Sequence, residues 1–119
     1  MVKSKKVRII HVVTYLGSAG MENGIINLTN NMNKIKFENI ICSMTSKVGK
    51  GEKRLAKHII IHRLCKKESR FDLLIGSIVD LINFFKKTIP TIVHTRNWAG
   101  MDGIIAAKMA GVPIIVHGE

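Results

Sequence analysis

The sequence predicts an α/β domain built on a doubly wound parallel sheet of about five strands in the order 3-2-1-4-5. Three observations predict it. Short β-branched and apolar runs lack the polar alternation of half-exposed strands, as expected where both faces of a sheet are covered. Between them stand segments with apolar residues at helical spacing. Glycine or proline marks most junctions, so the chain reads strand, helix, strand throughout, and right-handed crossovers then give one sheet with helices on both faces.

In chain order, Val7 to Leu16 is an almost unbroken apolar run and supplies the first strand. Gly17-Ser18-Ala19-Gly20 turns the chain, and Glu22 opens a helix carrying Ile25, Leu28, Thr29 and Met32 at helical spacing. Phe37 to Met44 is the second strand, followed by a polar loop, Thr45 to Gly51, and a short basic helix over Glu52 to Lys57. Ile59 to Leu64 is the third strand. From Phe71 to Lys87 the residues Leu74, Ile75, Ile78, Leu81, Ile82 and Phe85 share a helical face, and Lys86 and Lys87 suit the negative C-terminal end. Pro90 ends that helix and Thr91 to His94 makes the fourth strand. A small-residue helix from Ala99 to Ala110 closes at Gly111, and Pro113 leads into the fifth strand, Ile114 to His117. There is no internal repeat.

A chain of 119 residues with 46% hydrophobic residues is enough for one domain with a real core. Cys42 and Cys65 match neither a redox pair nor a four-ligand zinc site, which points to reduced thiols and a cytoplasmic setting. Lys3, Lys5 and Lys6 before an apolar run imitate a secretory signal, but Arg8 and His11 interrupt the run. No run of 18 apolar residues spans a membrane. The formal charge is +11, and Thr45 to Arg70 holds nine basic residues against Glu52 and Glu68, a net +7 in one stretch. Such a stretch is either a solvated face or a docking surface for an anionic membrane. Nucleic acid is a poor partner, because few aromatic residues interleave with the lysines. A receiver-like interaction domain needs clustered acids after the first strand, and none stands there.

In sheets of this kind ligands bind outside the C-terminal strand ends near the switch point, between the first and fourth strands. Three polar clusters fall at such ends: Gly17 to Glu22, His94-Thr95-Arg96-Asn97, and His117-Gly118-Glu119. Gly20 leaves room for an anion to approach backbone N–H groups at a helix start. The spacing of Gly17, Gly20 and Gly24 is not a dinucleotide fingerprint, and Gly49-Lys50-Gly51 lacks the leading glycine and the Ser/Thr of a P-loop. His58 and His62 are expected on one face of the third strand without a third ligand, so no metal is expected. His11 is read as packing.

Ala19-Gly20-Met21-Glu22-Asn23-Gly24 before an apolar helix resembles the G-G-x-E loop of family 4 glycosyltransferases. His94-Thr95-Arg96-Asn97 and the run Ala110 to Glu119 resemble the later βαβ unit of the same family, in the flavour of bacterial exopolysaccharide-associated sugar transferases. The resemblance implies a Rossmann-like N-terminal half of a two-domain GT-B fold, with the donor-binding domain outside residues 1–119. It implies that the parent enzyme moves a sugar from a nucleotide-sugar donor to a hydroxyl acceptor, as in polysaccharide or glycolipid synthesis, without a metal or other cofactor. It assigns His117 to supporting transfer at the acceptor, and Gly20, Glu22, Arg96 and Asn97 to substrate binding. Trp98 then stands either as a stacking surface for a sugar or as a hydrophobic lid. Ala19 departs from the family's first loop glycine. The E-x7-E motif of the donor domain does not occur in the chain. The setting implied is cytoplasmic, with peripheral contact on the inner membrane face through Lys47 to Arg70.

Overall fold

The computed structural model describes residues 6–17, 20–64, 77–96 and 99–118. Asn97, Trp98, Cys65, the start of the helix expected from Phe71, and Lys66, Lys67 and Arg70 of the basic stretch lie outside them.

The elements are β1 (Val7–Val13), α1 (Gly20–Asn31), β2 (Phe37–Ser43), a 3-10 turn (Lys50–Arg54), β3 (Ile60–Arg63), α2 (Ser77–Thr88), β4 (Ile92–Arg96), α3 (Ala99–Ala110) and β5 (Ile114–Gly118). Their sheet has the order β3-β2-β1-β4-β5 with every pair parallel, as the sequence predicts. Because successive strand residues face opposite ways, β1 feeds two cores. Ile10 and Val12 join Val93, Leu81, Phe85, Ala106 and Ala107 on the α2/α3 side. Val13 and Leu16 join Ile25, Ile26, Ile41 and Ile59 on the α1 side. Gly103 lets α3 lie close on β4, since a Cβ there would stand 2.7 Å from Thr95 Cγ2.

Several boundaries differ from expectation, four of them for a physical reason the structure shows. β1 ends at Val13 rather than Leu16 because Thr14 turns its carbonyl to the Ser43 and Thr45 hydroxyls, each at 3.1 Å. The basic helix is a 3-10 turn because the chain there is pinned: a Cβ at Gly49 would sit 1.7 Å from the Leu16 carbonyl oxygen and one at Gly51 2.5 Å from that of Gly17. Asn30 of α1 clamps its far end, donating to Arg54 O at 2.7 Å and accepting from Ala56 N at 2.8 Å. β3 starts at Ile60, which leaves His58 in the preceding turn and removes the shared strand face with His62; His62 instead stacks on Phe84 of α2, with ring centroids 4.0 Å apart. β4 runs on to Arg96 because β5 continues to Gly118 and pairs with it.

Helix ends are closed locally. Gly111, with φ of 77°, ends α3 in a Schellman motif in which Val112 N donates to Ala107 O at 3.0 Å. At the end of α2, Arg8 donates to Thr88 O while pairing with Glu38, and Ile89 takes φ of 49° ahead of Pro90.

Candidate functional site

The C-terminal strand ends gather the β1–α1 turn, the end of β4 and the end of β5. The turn is held from below by the Gly49–Gly51 backbone, with Gly51 N donating to Leu16 O at 3.0 Å. That close approach is the reason for two glycines that in sequence imitate a P-loop. Gly20 opens α1 with no described atom within 4 Å of where a Cβ would stand. Glu22, in the first turn of α1, bends toward Gly17, where a Cβ would be 3.6 Å from Glu22 Oε1. Its other oxygen, Oε2, is buried without a hydrogen-bond partner among the described residues. Tyr15 borders the same turn and carries Lys47 Nζ 4.4 Å above its ring.

Arg96 lies across the switch point. Its side chain runs between two glycines: a Cβ at Gly118 would be 3.4 Å from Arg96 Nε, and one at Gly24 3.5 Å from Arg96 Nη1. No ion pair holds Arg96 among the described residues; the pairs seen there are Arg8–Glu38 and Arg63–Glu52. A guanidinium laid over two glycines and lacking a carboxylate is a donor set available to a ligand.

His117 sits at the same edge on the other face of the sheet. Its register partner is Thr95, whose hydroxyl is 2.9 Å from His117 Nδ1, and Thr95 packs under Gly103 of α3. Arg96 and His94 face the α1 side instead, so the predicted polar clusters share one edge but are divided between its two faces. His117 is exposed and Thr95 is buried.

A second polar group was not predicted as functional. His11, in the middle of β1, is buried; its Nε2 is 2.8 Å from Asn39 Oδ1 on β2, and its Nδ1 is 2.9 Å from Nδ1 of His94 on β4. Burial, more than any neighbour, lowers the His11 pKa to about 4. Burial first, then the Arg96 and His117 charges, lower that of His94. The signal was present in the sequence as His11 inside the otherwise apolar run Ile9-Ile10-His11-Val12-Val13 and Asn39 at the head of Asn39-Ile40-Ile41. Cys42 on the opposite face of β2 is buried, and burial pushes its thiol up to about 12.

No group of three His, Cys, Asp or Glu side chains that could hold a metal occurs among the described residues. A cavity of 720 Å³ opens at the opposite end of the sheet, lined by Arg8, Glu38, Lys86 and Thr91 among others. That cavity lies at the N-terminal strand ends and at the negative ends of α2 and α3, with Arg8 already engaged by Glu38 and Thr88. The chemistry favours the other edge. No helix of the described residues is long and apolar enough to cross a membrane.

No family model matches the chain, and no curated protein matches it significantly. Among solved structures it is similar to the crystal structure of a glycosyltransferase from Rickettsia africae ESF-5, with a TM-score of 0.72 and 23% identity over 96% of this chain. The chain spans 30% of the length of that protein. At this identity the likeness shows a shared fold, the Rossmann-like α/β sheet of a glycosyltransferase structure.

Proposed function

We propose that the chain is the acceptor-side domain of a family 4 glycosyltransferase with a GT-B fold, whose full-length parent moves a hexosyl group from a nucleotide-sugar to a hydroxyl acceptor in polysaccharide or glycolipid synthesis. The observation that carries the proposal is Arg96 at the switch point, unpaired by a carboxylate among the described residues and laid between Gly24 of α1 and Gly118 of β5. The fold shared with a solved glycosyltransferase supports it.

In this reading Arg96, with Asn97 after it, holds acceptor oxygens, and the open backbone at Gly20 receives phosphate or acceptor at the start of α1. Glu22 supplies an acceptor oxygen from the same turn. His117, on the other face of the same sheet edge, orients or polarises the acceptor hydroxyl where the acceptor reaches over the strand ends. Stabilising the leaving diphosphate is the work of a second domain, which closes over this edge and excludes water. Neither a metal nor another cofactor enters the scheme. The basic segment Lys47 to Arg70 brings the enzyme to the anionic inner face of the membrane, where a lipid-linked acceptor would stand.

Transfer of labelled sugar from UDP- and GDP-sugars by the full-length gene product tests this. His117→Ala is expected to slow turnover about 100-fold while donor affinity stays within a few-fold. Arg96→Ala is expected to raise the KM for the acceptor. A full-length product that transfers no sugar from any nucleotide donor would sink the reading.

A further inference from the structure

Asn39, His11 and His94 form a polar row across three adjacent strands, β2, β1 and β4, on the face otherwise occupied by the α1-side core. Asn39 and His11 are 5% and 2% exposed. Apolar side chains of similar volume would fill these positions without the desolvation cost of three polar groups, so core packing alone does not account for the row.

The row has a direction. An amide oxygen only accepts, so the His11 nitrogen facing Asn39 Oδ1 carries the hydrogen: Nε2–H donates at 2.8 Å. With its pKa near 4, His11 is neutral at pH 7, and its Nδ1 is therefore a lone pair. His94 Nδ1, 2.9 Å away, must supply the hydrogen of that contact. A neutral His94 with its proton on Nδ1 has a lone pair on Nε2, and no donor to that atom is seen among the described residues. His94 is half-buried, and its register neighbour on β5, Val116, is 46% exposed, so among the described residues the surface over β4 and β5 is open. Arg96 follows about 7 Å along the same strand face. The titratable and charged groups acting on His94 are His11 from β1, Arg96 from β4 and His117 from β5, and the charges of Arg96 and His117 both oppose its protonation.

We propose that Asn39 and His11 are positioning residues that lock His94 in its Nδ1–H tautomer, so that Nε2 presents a fixed hydrogen-bond acceptor to a ligand hydroxyl beside the Arg96 guanidinium. The two together form a matched pair, a neutral acceptor and a cationic donor, suited to a polyol that carries a hydroxyl next to an anionic or carbonyl oxygen. That this polyol is the sugar acceptor rests on the glycosyltransferase reading; the tautomer lock does not.

Long-range 1H–15N correlation spectra of the 119-residue chain with 15N-labelled histidine test the lock at pH 7 without any substitution. The expected pattern is a protonated Nδ1 and a bare Nε2 on His94, with the reverse on His11. A proton on His94 Nε2, or a charged His94 at that pH, overturns the proposal. Asn39→Leu should then leave His94 as a mixture of tautomers; an unchanged His94 in a folded Asn39→Leu variant shows that Asn39 does no positioning and also overturns it. Titration with a methyl glycoside should move the His94 Nε2 resonance, and a silent Nε2 removes the hydroxyl-binding half even where the lock is present. Failure of sugar transfer by the full-length product, with the tautomers as expected, would fall on the glycosyltransferase reading alone.

Discussion

At the residue scale, His11 ties the stability of the fold to pH. Its folded pKa of about 4 lies below the ordinary 6.5, so the folded chain keeps the imidazole neutral while the unfolded chain protonates it. Between those values the unfolded state binds the extra proton, and stability must fall as pH falls. The contribution is fully present above pH 6.5 and is lost progressively toward pH 4; the gap is worth roughly 3 kcal/mol. His94, shifted in the same direction but half-exposed, adds a smaller loss in the same window. Urea midpoints measured from pH 7.5 to 4 should fall through this range, and a flat profile would show that His11 is not buried neutral.

At the scale of elements, the end of α2 holds a local conflict. Ile89 adopts φ of 49°, which crowds a Cβ, and its side chain is 78% exposed, so it gains little packing in return. Ile89→Gly should therefore stabilise the chain by about 1 kcal/mol, read as a rise of several degrees in thermal midpoint. No rise would mean that the helix end relaxes to another conformation. The loop after β2 and the following turn carry Lys47, Lys50, Lys53, Arg54 and Lys57, all exposed. Only Arg63 of the described basic residues in this stretch is paired with a carboxylate, Glu52. Co-sedimentation should accordingly be stronger with anionic than with neutral vesicles and should weaken with salt. Equal recovery with both vesicle types would reduce the stretch to a solvated face.

For the whole molecule, charge and apolar surface are separated. Residues 99–118 contain Asp102 and Lys108 as their only formally charged side chains, so, Arg96 against Gly118 apart, the net +11 adds little repulsion along α3 and β5. At that end Ile114 and Val116 are each 46% exposed on an edge strand, and Met101, Ile105 and Met109 are 54%, 43% and 66% exposed at four-residue spacing along α3. The 119-residue chain is expected to associate through this edge as its concentration rises, and, if the proposed two-domain reading holds, to bind UDP, GDP and their sugar conjugates no tighter than about millimolar, since it would then offer one wall of a cleft. Light scattering and calorimetry measure the two halves, and a clean monomer with micromolar nucleotide affinity would contradict both. The fold is legible in one dimension: strand runs without alternation, helical spacing over Leu81 and Phe85, and the Gly111 stop are local signals, and right-handed crossovers leave few sheet orders to choose from. The sequence also placed Arg96 and His117 at strand ends and Gly20 in the turn that opens the first helix, because an element boundary is a one-dimensional property. Which sheet face a strand-end residue joins depends on register across strands, so only the tertiary structure divided His117 from Arg96 and gave Gly49 and Gly51 a backbone to lie against. The same holds for Asn39, His11 and His94, which stand up to 83 residues apart and become one hydrogen-bonded row only when β2, β1 and β4 lie side by side.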